Sequence, residues 1–124
     1  MAGRILVAED DDGVRLLVGT VLHRAGFRVD FAGDGTETIA SLTGGVDYDA
    51  IVLDLMMPGS SGFEVLAWMH REKRDASRRR VIVLTALSDR DLKHLTPDRV
   101  FAVIRKPFDV DEMVATVRRC VEAT

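Results

Sequence analysis

Cys120 is the only cysteine in the 124-residue chain, so no internal disulfide can form. A reducing compartment such as the cytosol suits that composition, and a cytoplasmic location is the expectation. No apolar run approaches the roughly 20 residues needed to span a membrane. No secretory pattern opens the chain either, because Met1-Ala2-Gly3-Arg4 leads directly into a short apolar segment. Neither sign of charge dominates: 17 Lys and Arg face 20 Asp and Glu, for a net -3. That balance argues against an anionic membrane or nucleic acid as a direct partner. His23, His70 and His94 show no metal-ligand spacing. What remains is a chain with 47% apolar and 30% charged residues, the balance of one globular domain with one proper core.

Five apolar runs alternate with helical patterns. Residues 4–8 read as a buried strand. Val14, Leu17, Val18, Val21, Leu22 and Ala25 then form a stripe at helical spacing. Asp11 or Asp12 is placed to cap that helix, and Gly26 to end it. Phe27, Val29 and Phe31 alternate as a second strand, and a short helix near 36–43 ends at Gly44-Gly45. Residues 49–54 are almost wholly apolar, as in strands covered on both faces. Pro58-Gly59 precedes a helix carrying Phe63, Leu66 and Met69. Arg78-Arg79-Arg80, read as a solvated loop, precedes a fourth strand at 81–85. A weak helix is expected over 88–95, stopped by Pro97. A fifth strand covers 100–104, and Val110, Met113, Val114, Val117 and Val121 line a last helix. Trp68 and Cys120 read as packing residues. Strand–helix alternation repeated five times predicts an α/β fold: a doubly wound parallel sheet with right-handed crossovers.

The polar residues of interest stand where strands end. Val7-Ala8 runs into Glu9-Asp10, Val52-Leu53 into Asp54, Val83-Leu84 into Thr85, and Ile104-Arg105 into Lys106. In such sheets ligands bind beyond the carboxyl ends of the strands, at the switch in strand order. With strand order 2-1-3-4-5, Glu9, Asp10 and Asp54 should meet, flanked by Thr85 and Lys106. Two like charges about 4 Å apart repel by roughly 4 kcal/mol at an effective dielectric near 20. Lys106 supplies one compensating charge, and all-oxygen ligands point to a hard dication, Mg²⁺, for the rest. A carboxylate can also attack phosphorus and form an acyl phosphate. Asp54 is the best placed to do so, because it lies centrally between the acids and the Thr85–Lys106 side.

The segments ILVAEDDDGVR, IVLDLMMPGSSG, VIVLTA and RKPF, in this order, carry a resemblance. Over nearly its whole length the chain resembles the receiver domain of two-component response regulators, chemotaxis-regulator-like; the expectation is one receiver over 1–124 with no output domain in these residues, either acting alone or cut from a larger regulator or hybrid kinase. The resemblance implies a flavodoxin-like fold and a phosphorylation-dependent switch of a phosphorelay. Asp54 would accept a phosphoryl group from a phosphohistidine of a histidine kinase or histidine phosphotransfer protein. The protein would then catalyse its own phosphoryl uptake and loss rather than act as a conventional enzyme. Asp10 would ligate Mg²⁺ directly and Glu9 through water, while Met56 would offer its backbone carbonyl. Thr85 would bond a phosphoryl oxygen, and Lys106, joined to Pro107 by a cis peptide, would pair with the phosphorylated group. The family's face of helix 4, strand 5 and helix 5 would bind a downstream effector, and the first helix would contact the kinase.

One departure stands out. Many receivers carry Tyr or Phe three residues before the lysine; here that residue is Val103, and Phe101 lies two residues further back on the same expected strand face. Output would then depend on the loop after Thr85 or on the fourth helix. Three other readings compete. A small-substrate aspartyl-phosphate phosphohydrolase would want an acid where Met56 stands. A nucleotide or flavin module would need a phosphate-cradling loop, and Glu9-Asp10-Asp11-Asp12 would repel that phosphate. A receiver that binds partners without being phosphorylated would have no need of Asp54, Thr85 and Lys106.

Overall fold

The computed structural model describes residues 3–59, 61–72, 74, 79–88, 92 and 100–123. Five parallel strands, β1 (Arg4–Ala8), β2 (Arg28–Ala32), β3 (Ala50–Asp54), β4 (Val81–Thr85) and β5 (Ala102–Arg105), form one sheet in the order β2-β1-β3-β4-β5. Four helices are present among the described residues: α1 (Asp12–Arg24), α2 (Gly35–Thr43), α3 (Gly62–Arg71) and α4 (Val110–Glu122). The expected helix over 88–95 and its stop at Pro97 lie outside the described residues, apart from Ser88 and Leu92.

The period-two alternation of the central strands sorts their side chains into two cores. Leu6, Ala8, Ile51, Leu53, Val81 and Val83 pack with Leu42 of α2 and Val65 and Met69 of α3. Ile5, Val7, Ala50, Val52, Ile82 and Leu84 pack with Val18 and Leu22 of α1 and Met113, Val117 and Cys120 of α4. Every residue of β3 and β4 is buried, as strands covered on both faces must be. The helices start where short acceptors stand. Asp11, Asp34, Ser61 and Asp109 each accept a backbone N–H three residues on. Gly26 follows α1 with φ +98°, a conformation that disfavours any residue with a Cβ.

The buried side of α1 is rotated from the expected stripe. Leu17 is 45% exposed, whereas Gly19 is buried. The cause is Phe31 on edge strand β2, whose ring would lie 2.6 Å from a Cβ at position 19. Phe31 is thus half exposed and covers α1 rather than filling the core. Phe101 precedes β5, so strand alternation does not reach it. It packs against the second core, while Val103 is exposed, so the two do not share a face. Arg80 is not simply solvated, because its Nη1 donates to the Tyr48 carbonyl at 3.1 Å. Trp68 and Cys120 pack as expected, and burial pushes the Cys120 thiol up to about 11.

Candidate functional site

The register carries the strand ends to one edge. Ala8 pairs with Leu53 across β1–β3, Asp54 with Leu84 across β3–β4, and Thr85 with Arg105 across β4–β5. Each next residue therefore emerges at the same rim. Glu9, Asp10 and Asp54 each bring a carboxylate oxygen within 4.8 Å of the other two. Glu9 is fully buried and Asp54 nearly so, at 3% exposed, while Asp10 is open to solvent.

The fourth charged member reaches in from the far side of the sheet. Lys106 Nζ lies 2.6 Å from Glu9 Oε1 and 3.5 Å from Asp54 Oδ2, bridging the two buried acids. Its shorter bond is to Glu9. Burial raises the pKa of Glu9, the neighbouring Asp54 raises it further, and the bond from Lys106 offsets only part of this. For Lys106, burial favours the neutral amine, but the two carboxylates outweigh it and the pKa is raised. One ammonium thus leaves the three acids undercompensated. An all-oxygen set with surplus negative charge fits a hard dication such as Mg²⁺.

The surrounding backbone shapes the pocket. Met56 N–H donates to Asp54 Oδ1 at 3.0 Å, while the Met56 side chain is 58% exposed. Gly62 opens α3 directly behind the strand end, its N–H bonded to the Leu55 carbonyl at 3.1 Å. A Cβ there would strike the Asp54 carbonyl oxygen and stand 2.6 Å from Leu55 Cα. Thr85 is fully buried, and its hydroxyl accepts the Leu87 N–H at 3.0 Å. Thr85 O in turn accepts the Lys106 N–H at 2.8 Å. The Lys106–Pro107 peptide is cis.

All the residues expected at the site stand at this rim, with the three acids clustered within 4.8 Å and Lys106 in contact with Glu9 and Asp54. Two contributors were not foreseen. Gly62 is one, and only the run of small residues around Pro58-Gly59 hints at it. Arg15 is the other, whose guanidinium bonds the Glu9 carbonyl oxygen at 2.9 Å. Its signal was a lone arginine one turn into α1, at helical spacing with Val18 and Leu22.

Comparisons with known proteins identify the family. The response regulator receiver domain family matches residues 5–118. The transcriptional regulatory protein TcrA of Mycobacterium tuberculosis is 37% identical over 122 residues, covering 93% of this chain and 44% of TcrA. The chain spans half or less of the length of the transcriptional regulators it matches. Sporulation initiation phosphotransferase F of Bacillus subtilis is 32% identical over 123 residues, 96% of this chain and 94% of that protein. Among solved structures, the response regulator TrrA of Thermotoga maritima, in complex with Mg²⁺-BeF, superposes with a TM-score of 0.81 at 32% identity, covering 97% of this chain and 99% of TrrA. The chain belongs to the response regulator receiver domains, the phosphorylation-dependent switches of two-component signalling.

Proposed function

We propose that Asp54 is the phospho-acceptor and that residues 1–124 act as one cytoplasmic receiver unit. A phosphohistidine of a sensor kinase or phosphotransfer protein is the donor. An Asp54 carboxylate oxygen attacks phosphorus in line, the P–N bond to the histidine breaks, and an acyl phosphate forms. The observation that carries this reading is the meeting of Glu9, Asp10 and Asp54 within 4.8 Å, with Lys106 Nζ between the two buried acids.

Asp10, Asp54 and the Met56 backbone carbonyl would hold Mg²⁺, with Glu9 contributing through water. When bound, the dication neutralises charge on the phosphoryl oxygens during transfer. Lys106 stands 3.5 Å from Asp54, ready to exchange its Glu9 contact for the new phosphoryl oxygens. Phosphorylation adds about -1.5 to -2 charge and three acceptor oxygens. Thr85 can then turn its hydroxyl toward them and release the Leu87 N–H, moving the loop behind it. That route needs no aromatic at Val103. The changed surface would include the family's helix 4, strand 5 and helix 5 face, to which β5 and α4 contribute here, with an effector protein rather than nucleic acid as its partner. An unphosphorylated binding module is disfavoured by the intact acid–lysine cluster, and a phosphohydrolase by Met56.

The test is intact-mass measurement after incubation with Mg²⁺ and a small acyl-phosphate donor. One phosphoryl addition is expected, absent in Asp54→Asn and greatly reduced after chelation. Lys106→Ala should impair the response more than Arg105→Ala. Labelling of Asp54→Asn equal to wild type would place the acceptor elsewhere.

A further inference from the structure

Glu9 and Asp10 are neighbours in the chain, so where their carboxylates aim depends on the peptide unit between them. On its incoming side Glu9 is tied into the sheet, its N–H donating to the Ala32 carbonyl at 3.0 Å. On the outgoing side the strand has ended. The Glu9 carbonyl instead accepts from Arg15 Nη1 at 2.9 Å. The other terminal nitrogen of the same guanidinium is ion-paired with Asp12. The group also lies against Gly33, where a Cβ would stand 3.5 Å from Nη1.

We propose that Arg15 is a positioning residue that fixes the Glu9–Asp10 peptide and thereby preorganises the dication site. This role rests on the proposed function. The planar guanidinium offers two donors in fixed directions, one for the Glu9 carbonyl and one for Asp12. A lysine ammonium cannot hold both in the same plane. Arg15 continues the face of Val18, Gly19 and Leu22 at helical spacing and is only partly buried, so stability is measured beside Mg²⁺ binding. Groups that orient metal ligands typically alter affinity 10–100-fold when removed.

The test uses the full chain, with Mg²⁺ binding by titration calorimetry and stability by urea unfolding. Arg15→Met should bind Mg²⁺ about tenfold more weakly than wild type, with Arg15→Lys between them. Phosphoryl uptake by Arg15→Met should return toward the wild-type rate at saturating Mg²⁺, because every carboxylate is still present. Affinity of Arg15→Met within about twofold of wild type, well below the expected range, would overturn the role. If Arg15→Met does not fold, Arg15→Lys, which keeps the charge but not the paired planar donors, takes its place, and an affinity equal to wild type there would overturn the role equally. A wild type that takes up no phosphoryl group at any Mg²⁺ concentration would instead sink the proposed function itself.

Discussion

Around the starts of the strands, Arg4 Nε and Nη2 both meet Asp30 Oδ2 at 3.0 Å, and the Tyr48 hydroxyl donates to the same oxygen at 2.8 Å. The Arg4 N–H is held by Asp49 Oδ2 at 2.8 Å. At the opposite rim three carboxylates cluster and two of them share one ammonium. The two ends treat their acids oppositely. The Arg4 guanidinium holds Asp30 below its ordinary value near 3.8, while burial lifts Glu9 above its ordinary 4.5. A lowered acid favours the folded state, and a raised one opposes it. One end is therefore built for stability, and the other keeps an electrostatic debt that a cation or a phosphoryl group can use.

The largest expected effect blurs this division. Gly62→Ala pushes a methyl group into the Asp54–Leu55 backbone, and overpacking of this kind costs about 1–3 kcal/mol. Since the displaced atoms belong to Asp54, the proposed acceptor, and to Leu55, urea unfolding and phosphoryl uptake should both suffer. Full uptake in the folded variant would show that the close approach does not place Asp54.

Tyr48→Phe should separate the ends cleanly. It removes one hydrogen bond to Asp30, which costs about 1 kcal/mol by urea unfolding, and leaves phosphoryl uptake at the wild-type rate. A matching loss of uptake would mean that the two ends are coupled.

How far the ends can be told apart from sequence alone depends on the kind of residue. The functional rim was legible because Glu9, Asp54, Thr85 and Lys106 each interrupt an apolar run, and parallel topology sends all strand ends to one edge. A parallel sheet covered on both faces followed from the same runs, whereas the strand order was an assumption of the doubly wound fold that the runs do not encode. The stabilising end was not legible. Arg4, Asp30, Tyr48 and Arg80 are scattered, and an arginine before a strand looks like any solvated charge until its partner is known. Leu17 and Phe31 misled for a related reason. Helical spacing shows a stripe, but Gly19 and the edge position of β2 decide which side of it is covered. Lys106 was expected opposite the acids, yet its shorter contact with Glu9 depends on side-chain reach that spacing does not encode.

The smallest expected effect sharpens the same contrast through pH. Because the folded value of Asp30 is lowered, its contribution to stability is complete above its ordinary 3.8 and is lost as pH falls through the folded value. The difference in unfolding free energy between wild type and Asp30→Asn should thus be greatest near neutral pH and vanish in acid. For a partly exposed pair it should stay below about 1 kcal/mol. A difference that grows in acid would reverse the sign assigned to Asp30.

We propose that Glu9, Asp10, Asp54 and Lys106 form one charge-compensating phosphoryl site. A crystal structure with Mg²⁺ and beryllofluoride tests it most directly. The prediction is a dication among the three acids, beryllofluoride on Asp54, and Lys106 Nζ turned toward the fluorides. A cation bound elsewhere, or Lys106 extended into solvent, would contradict it.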